Sequence, residues 1–285
     1  MSVRNNQDRV GNMDPGSEAP VMQNTSGDAF SFPNPTEFVE LPSRGRFYPE
    51  DHPLHNQEVV EIKYMTAKDE DILTSQSLIK KGIVVDRLLQ SVIVDKTINP
   101  NQLLVGDKSA ILVASRVTGY GSDYEVNVAC PSCGNNSDYE FDLEQIQRVN
   151  YGDGFDSDEA RPTGNGTYVI ELPLTKLAVE VKLMTGQDEN TLLKSAEKKK
   201  KLKLPESALT DQFRAIIVSV NDHKEQSTIN TVVERLPARD AKYLRSVYSK
   251  VNPNVELKGN FECDNCDHIE EVDVPITVQF FWPKQ

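Results

Sequence analysis

All four cysteines of the chain fall in two CxxC motifs, Cys130-Pro-Ser-Cys133 and Cys263-Asp-Asn-Cys266, set 133 residues apart. Two close pairs of thiolates are the ligand set of a closed structural zinc site. The turn inside each CxxC points both sulfurs and the neighbouring amides inward, which suits a single ion. The spacing therefore predicts that the chain folds back on itself to bring Cys130, Cys133, Cys263 and Cys266 around one zinc per chain. Four cysteine ligands leave no open coordination position, so the ion is expected to be structural rather than catalytic. Two other arrangements stay open on the sequence: four unmetallated core cysteines, and a site completed by a second chain. A disulfide set is disfavoured in a reducing cytosol. His268 follows the second motif. It reads either as a hydrogen-bond partner to the ligands or, more commonly for such a position, as an exposed hairpin histidine.

The other titratable groups give no second constellation. Asp69/Glu70 and Asp188/Glu189 resemble acid–base pairs. They follow Thr66 and Thr185, however, and so read first as helix N-terminal residues, with carboxylates at the positive end of the dipole. Lys198-Lys-Lys-Lys201 is a solvated face on an acidic chain before it is a phosphate contact. His52, His55, His223 and His268 are scattered without a second ligand at helical spacing. No P-loop, GxGxxG, GxSxG or HExxH is present. The expectation is a non-enzyme with no catalytic residues, no organic cofactor and no small-molecule substrate.

The elements that carry the cysteines recur. Val60-Glu-Ile-Lys-Tyr-Met-Thr-Ala-Lys-Asp-Glu returns as Val179-Glu-Val-Lys-Leu-Met-Thr-Gly-Gln-Asp-Glu, an offset of 119. Further on the offset is 133, for Leu103/Leu236, Asp107/Asp240, Ile111/Leu244, both cysteine pairs and Leu143/Ile276. A constant offset through several elements indicates a tandem repeat. The 14 additional residues are expected around the lysine-rich stretch 197–207. Each repeat reads as a strand (58–64, 178–183), a helix (69–80, 189–202), a second helix (84–94, 211–220), a third (107–117, 239–250) and a hairpin bearing the CxxC. The hairpin strands are expected at 125–129 with 138–143, and at 256–262 with 270–276. The predicted fold class is α+β: a duplicated strand–helices–hairpin unit with pseudo-twofold symmetry, joined by a zinc-ribbon-like four-cysteine site. Repeat 1 spans 37–150 and repeat 2 spans 178–285, with an acidic linker and hairpin over 151–177. Residues 1–36 are polar and read as a disordered arm.

Composition narrows the function class. The chain has 285 residues and net charge −13, which argues against a general nucleic-acid binder. A zinc-ribbon regulator of nucleic acid is the alternative the motif allows. Its hairpins would need Lys and Arg, whereas Asp123, Glu125, Asp138, Glu140, Glu262, Asp264, Asp267, Glu270, Glu271 and Asp273 surround the cysteines here. No apolar run reaches membrane-span length and no signal pattern opens the chain, so a cytosolic setting is expected.

Two aromatic clusters, Phe47-Tyr48-Pro49 and Phe280-Phe281-Trp282-Pro283, read either as segments tucked onto the core or as partner-docking surfaces. Together with Leu41-Pro-Ser-Arg-Gly-Arg-Phe-Tyr-Pro49, the Met65-Thr66…Asp69-Glu70 element, Cys130-Pro-Ser-Cys133 and Phe281-Trp-Pro283, they carry a family resemblance. Over about residues 38–283 the chain resembles the baseplate hub proteins of T-even-like contractile-tail phages. The resemblance implies a late virion-assembly protein, working in the host cytoplasm and either retained in the virion tail baseplate or acting only as an assembly factor. Its expected partners are other hub or tail proteins, with no membrane span and no nucleic acid.

Overall fold

The computed structural model describes residues 34–164, 166–274 and 278–281. The polar arm up to residue 33, Ile276 and Trp282 lie outside the described residues. The described chain is mixed α+β with four small sheets rather than one large one.

The chain opens with β1 (Thr36–Glu40), antiparallel to β2 (Val59–Lys63) with Phe38 opposite Glu61. The long turn between them closes on Gly45, whose φ is +68°. A Cβ there would sit 2.4 Å from the Gln57 nitrogen and the Leu54 carbonyl oxygen, so only glycine fits. Next come α1 (Ala67–Thr74) and α2 (Gln76–Lys80). The single helix expected over 69–80 is thus broken, at an extended Ser75 (φ −65°, ψ 106°). The Thr74 hydroxyl bonds back to the Glu70 carbonyl, and serine and threonine in such runs compete with the helix for backbone partners.

The strongly amphipathic α3 (Val84–Val92) follows, then α4 (Val105–Tyr120). A hairpin of β3 (Asp123–Ala129) and β4 (Asn136–Asp142) leads through α5 (Leu143–Ile146) to β5 (Gln147–Asn150). Strands β6 (Arg161–Pro162), β7 (Thr167–Glu171) and β8 (Ala178–Lys182) pair in order. Helices α6 (Gly186–Lys201) and α7 (Ala208–Ile216) are joined by the loop at Pro205.

The helix expected to run to Val220 stops at Ile216. Ile217-Val-Ser-Val220 becomes β9 and completes the sheet beside β8. Its β-branched residues fit a half-buried sheet edge better than a fourth helical turn. Helix α8 (Gln226–Arg235), which the periodicity did not announce, buries Ile229 and Val233. It precedes α9 (Ala238–Val251), β10 (Asn254–Glu262), β11 (Ile269–Asp273) and a 3-10 turn at Val278–Phe281. Strand β10 pairs on one side with β11 and on the other with β5, so the first half of the chain supplies an edge to a sheet of the second half.

Both helix starts behind the repeated threonines are capping boxes. The Thr66 amide and hydroxyl both donate to Asp69 Oδ2 (2.8 and 2.7 Å), and the Thr185 amide and hydroxyl donate to Asp188 Oδ2 (3.0 and 2.9 Å). Lys63 and Lys182 pair with the same two aspartates. The two aspartates are therefore committed to helix starts.

A buried ion pair joins α4 to both neighbouring helices. Lys108 Nζ lies 2.9 Å from Asp86 of α3 and 3.0 Å from Glu189 of α6, with only 6% of its side chain exposed. Burial pushes the ammonium down, but Glu189 and Asp86 outweigh it and hold the group above its ordinary range. Removing one member of such a set leaves the other charges uncompensated, which costs about 3–5 kcal/mol when the pair is fully buried. Glu189 is partly solvated, so Asp86→Ala is expected to cost toward the lower end of that range. Lys108→Met, which removes the buried cation and keeps the volume, is expected to cost far less. Equal losses for the two variants in denaturant titrations would contradict this.

Candidate metal centre

The two CxxC turns sit at the tips of two hairpins built alike. In the first, the Cys130 amide donates to the Asn135 carbonyl (2.8 Å) and the Gly134 amide to the Cys130 carbonyl (2.9 Å). In the second, the Cys263 amide donates to the His268 carbonyl (3.0 Å) and the Asp267 amide to the Cys263 carbonyl (2.9 Å). Each turn closes on a left-handed residue, Gly134 at φ +72° and Asp267 at φ +54°. Glycine is free there, and aspartate is among the few other residues that tolerate it.

The hairpin tips face each other. Cys130 Sγ lies 3.8 Å from Cys266 Sγ and Cys133 Sγ lies 3.7 Å from Cys263 Sγ, and all four sulfurs fall within 4.8 Å of one another. These separations exclude disulfides, which need about 2.05 Å, and the four thiols are free. A tetrahedral ion with metal–sulfur bonds of about 2.3 Å spaces its sulfurs by about 3.8 Å. The residues therefore fit a four-sulfur metal site. Cys130 and Cys263 are buried while Cys133 and Cys266 face solvent, so the first cysteine of each pair is anchored in the core and the second closes the site.

The electrostatics suit cation binding. The Asn135 backbone N–H and the Asn265 side-chain amide, 3.6 Å from Sγ, hold the Cys133 thiol down to about 6. At Cys266 the His268 backbone N–H draws the thiol down, but burial and the other three sulfurs outweigh it and push it up to about 12. Four sulfurs this close cannot all ionise without a positive charge among them, and a divalent cation supplies one. Asn135 and Asn265 were not singled out from the sequence. They sit inside the two turns, where an amide aimed at a ligand sulfur is to be looked for. His268 contributes its carbonyl to the turn, while its ring meets Glu270 at 3.0 Å.

Of the aromatic candidates, Tyr48, Phe280 and Phe281 lie in the chain's own core. Tyr48 is buried and its hydroxyl donates to Asp107 (2.7 Å). Phe280 and Phe281 are buried, Phe280 edge-on to Tyr124 at 5.1 Å between ring centroids. The Arg116 side chain holds this segment by donating to the Phe280 carbonyl (2.7 Å). Phe47 is half-buried against Tyr168 of the second half. The scattered histidines gather nothing: His52 stacks on Tyr48, and His223 stands 3.8 Å from Glu225.

Among the described residues, the cysteine cluster is the one group of metal-ligating side chains brought together, and no helix is long and apolar enough to cross a membrane. No curated protein and no solved structure matches the chain. The family model described as T4 bacteriophage base plate protein matches residues 36–282, from the first strand to the end of the aromatic segment, and the chain belongs to that family.

Proposed function

We propose that the chain is a non-enzymatic component of the phage baseplate hub, acting by protein–protein contacts in tail assembly, and that one structural zinc clamps its two halves. The observation that carries this reading is the four-sulfur cluster. It joins hairpins from opposite halves of a baseplate-family chain and leaves no coordination position for chemistry.

The halves are proposed to be duplicates joined in a split zinc ribbon. Supporting this, α3 and α7 are both nine residues long, and each is followed by a residue bridged to the matching strand position, Ile93 to Ile62 and Ile217 to Val181. The offset thus steps from 119 to 124 at α7 and to 133 at α9. On this alignment only the first step falls in the lysine-rich stretch, and the larger one falls around α8. The acidic hairpins repel phosphate, so no observation favours the nucleic-acid reading.

The test is infection by a phage whose gene for this chain carries an early stop codon. Tails lacking a hub are expected by electron microscopy, and normal baseplates would overturn the reading. Mass spectrometry of purified wild-type virions then separates a packaged subunit from an assembly factor.

A further inference from the structure

The charges of this chain are segregated. From 193 to 209, across the end of α6 and the start of α7, six lysines stand against two glutamates. Leu193, Leu202 and Leu204 are each more than half exposed there. Of the lysines, Lys199 pairs with Asp211, while Lys194, Lys198, Lys200, Lys201 and Lys203 face solvent. The second knuckle hairpin is the converse. From 262 to 273 it carries six acidic residues and no Lys or Arg, with Ile269 67% exposed in their midst. Glu271 meets Arg148 and Glu270 meets His268; Glu262, Asp264, Asp267 and Asp273 remain solvent-facing. A basic corner tipped with leucines and an acidic hairpin tipped with isoleucine are complementary in sign, and both expose apolar surface that a monomer gains nothing by exposing.

We propose that the α6–α7 corner of one copy docks on the β10–β11 hairpin of a second copy. The contact uses two different patches, so it is heterologous and propagates head to tail into a ring or a short filament. This goes beyond the hub reading, because it assigns the chain a self-association surface whatever other tail proteins it meets. Lysines and carboxylates near a surface attract within a Debye length of about 10 Å at 0.1 M salt and about 3 Å at 1 M. Assembly is therefore salt-sensitive.

The test is sedimentation velocity on the full-length protein. Wild type is expected to form oligomers at low salt and to return to monomer near 1 M salt. K198E/K200E/K201E and E262K/E270K/D273K are each expected to sediment as monomers at low salt. An equimolar mixture of the two is expected to restore oligomers, because the reversed corner then meets the reversed hairpin while the intact corner of one variant meets the intact hairpin of the other, a rescue that damage to the fold would not produce. Zinc content and circular dichroism of each variant separate lost folding from lost contact. A wild type that stays monomeric at low salt would overturn the proposal, as would oligomers that survive either charge reversal. Saturable binding of a single-stranded oligonucleotide by a monomeric wild type would overturn it in favour of a phosphate-binding corner.

Discussion

Replacing Cys263 by serine is expected to abolish the cooperative folding of this chain and to empty it of metal. Cys263 is buried at the turn of the second hairpin, and its sulfur stands 3.7 Å from that of Cys133 across the junction between the halves. If the cluster holds zinc as proposed, the ion is a cross-link between segments 130 residues apart in sequence. Apparent binding energies for structural zinc are on the order of 10 kcal/mol, as large as the whole stability of a typical domain. Serine keeps the volume but supplies no thiolate. The remaining three sulfurs cannot close the tetrahedron, and the hairpin tips lose the charge that holds them together. Elemental analysis of wild type is expected to give one zinc per chain, because all four sulfurs come from the same molecule. A chelator is expected to lower the melting temperature steeply. Acidification is expected to release the ion as the thiolates protonate, since binding is linked to their deprotonation. A Cys263→Ser protein with a wild-type melting curve would show that the four cysteines hold no ion on which the fold depends.

Much of this centre was legible in the chain, and what was not has an identifiable cause. CxxC spacing reports a local turn, and the equal offset of the two motifs reports that the turns are alike, so the cluster of four cysteines could be named from sequence. Strand starts and capping boxes were legible for the same reason: Thr66 with Asp69, and Thr185 with Asp188, act within one turn. Ser75 broke an expected helix because a weak local competition decided it. Ile217–Val220 became a strand because a neighbouring edge was available at β8, which no window of sequence displays. The aromatic segments were ambiguous because burial of Phe280 depends on Arg116, 164 residues away. Local chemistry was readable; long-range satisfaction was not.

Asp107 and Asp240 show this limit most clearly, and they carry the second large expected effect. Their shared offset was visible, but their task was not. Asp107, fully buried near the start of α4, accepts from the Ser43 amide (2.9 Å), the Ser43 hydroxyl (2.6 Å) and the Tyr48 hydroxyl (2.7 Å). Asp240, in the first turn of α9, accepts from the Leu174 amide, the Thr175 amide (both 2.9 Å) and the Thr175 hydroxyl (2.7 Å). Each aspartate thus pins the Leu-Pro turn that precedes its own half's strand, Leu41-Pro42-Ser43 in one and Leu172-Pro173-Leu174-Thr175 in the other. Those turns stand 131 residues apart while the aspartates stand 133 apart, so the pairing is lost to any single-offset comparison.

Asp107→Ala would strand three buried donors at once. A buried donor left unsatisfied costs about 1–3 kcal/mol, so the variant is expected to lose roughly 3 kcal/mol or more. Asp107→Asn, which keeps one acceptor oxygen, is expected to lose less. At Asp240, burial raises the carboxyl, but the Thr175 hydroxyl, the two amides and Arg239 outweigh it and hold the group below its ordinary range. A depressed carboxylate contributes stability that is present above the ordinary value of 3.8 and is lost as pH falls through the folded-state value. Asp240→Asn is therefore expected to flatten the acid limb of the stability curve below about pH 4. If the two aspartates merely decorate helix starts, Asp107→Ala would cost no more than a surface cap, about 1 kcal/mol, and the acid limb of Asp240→Asn would overlay that of wild type.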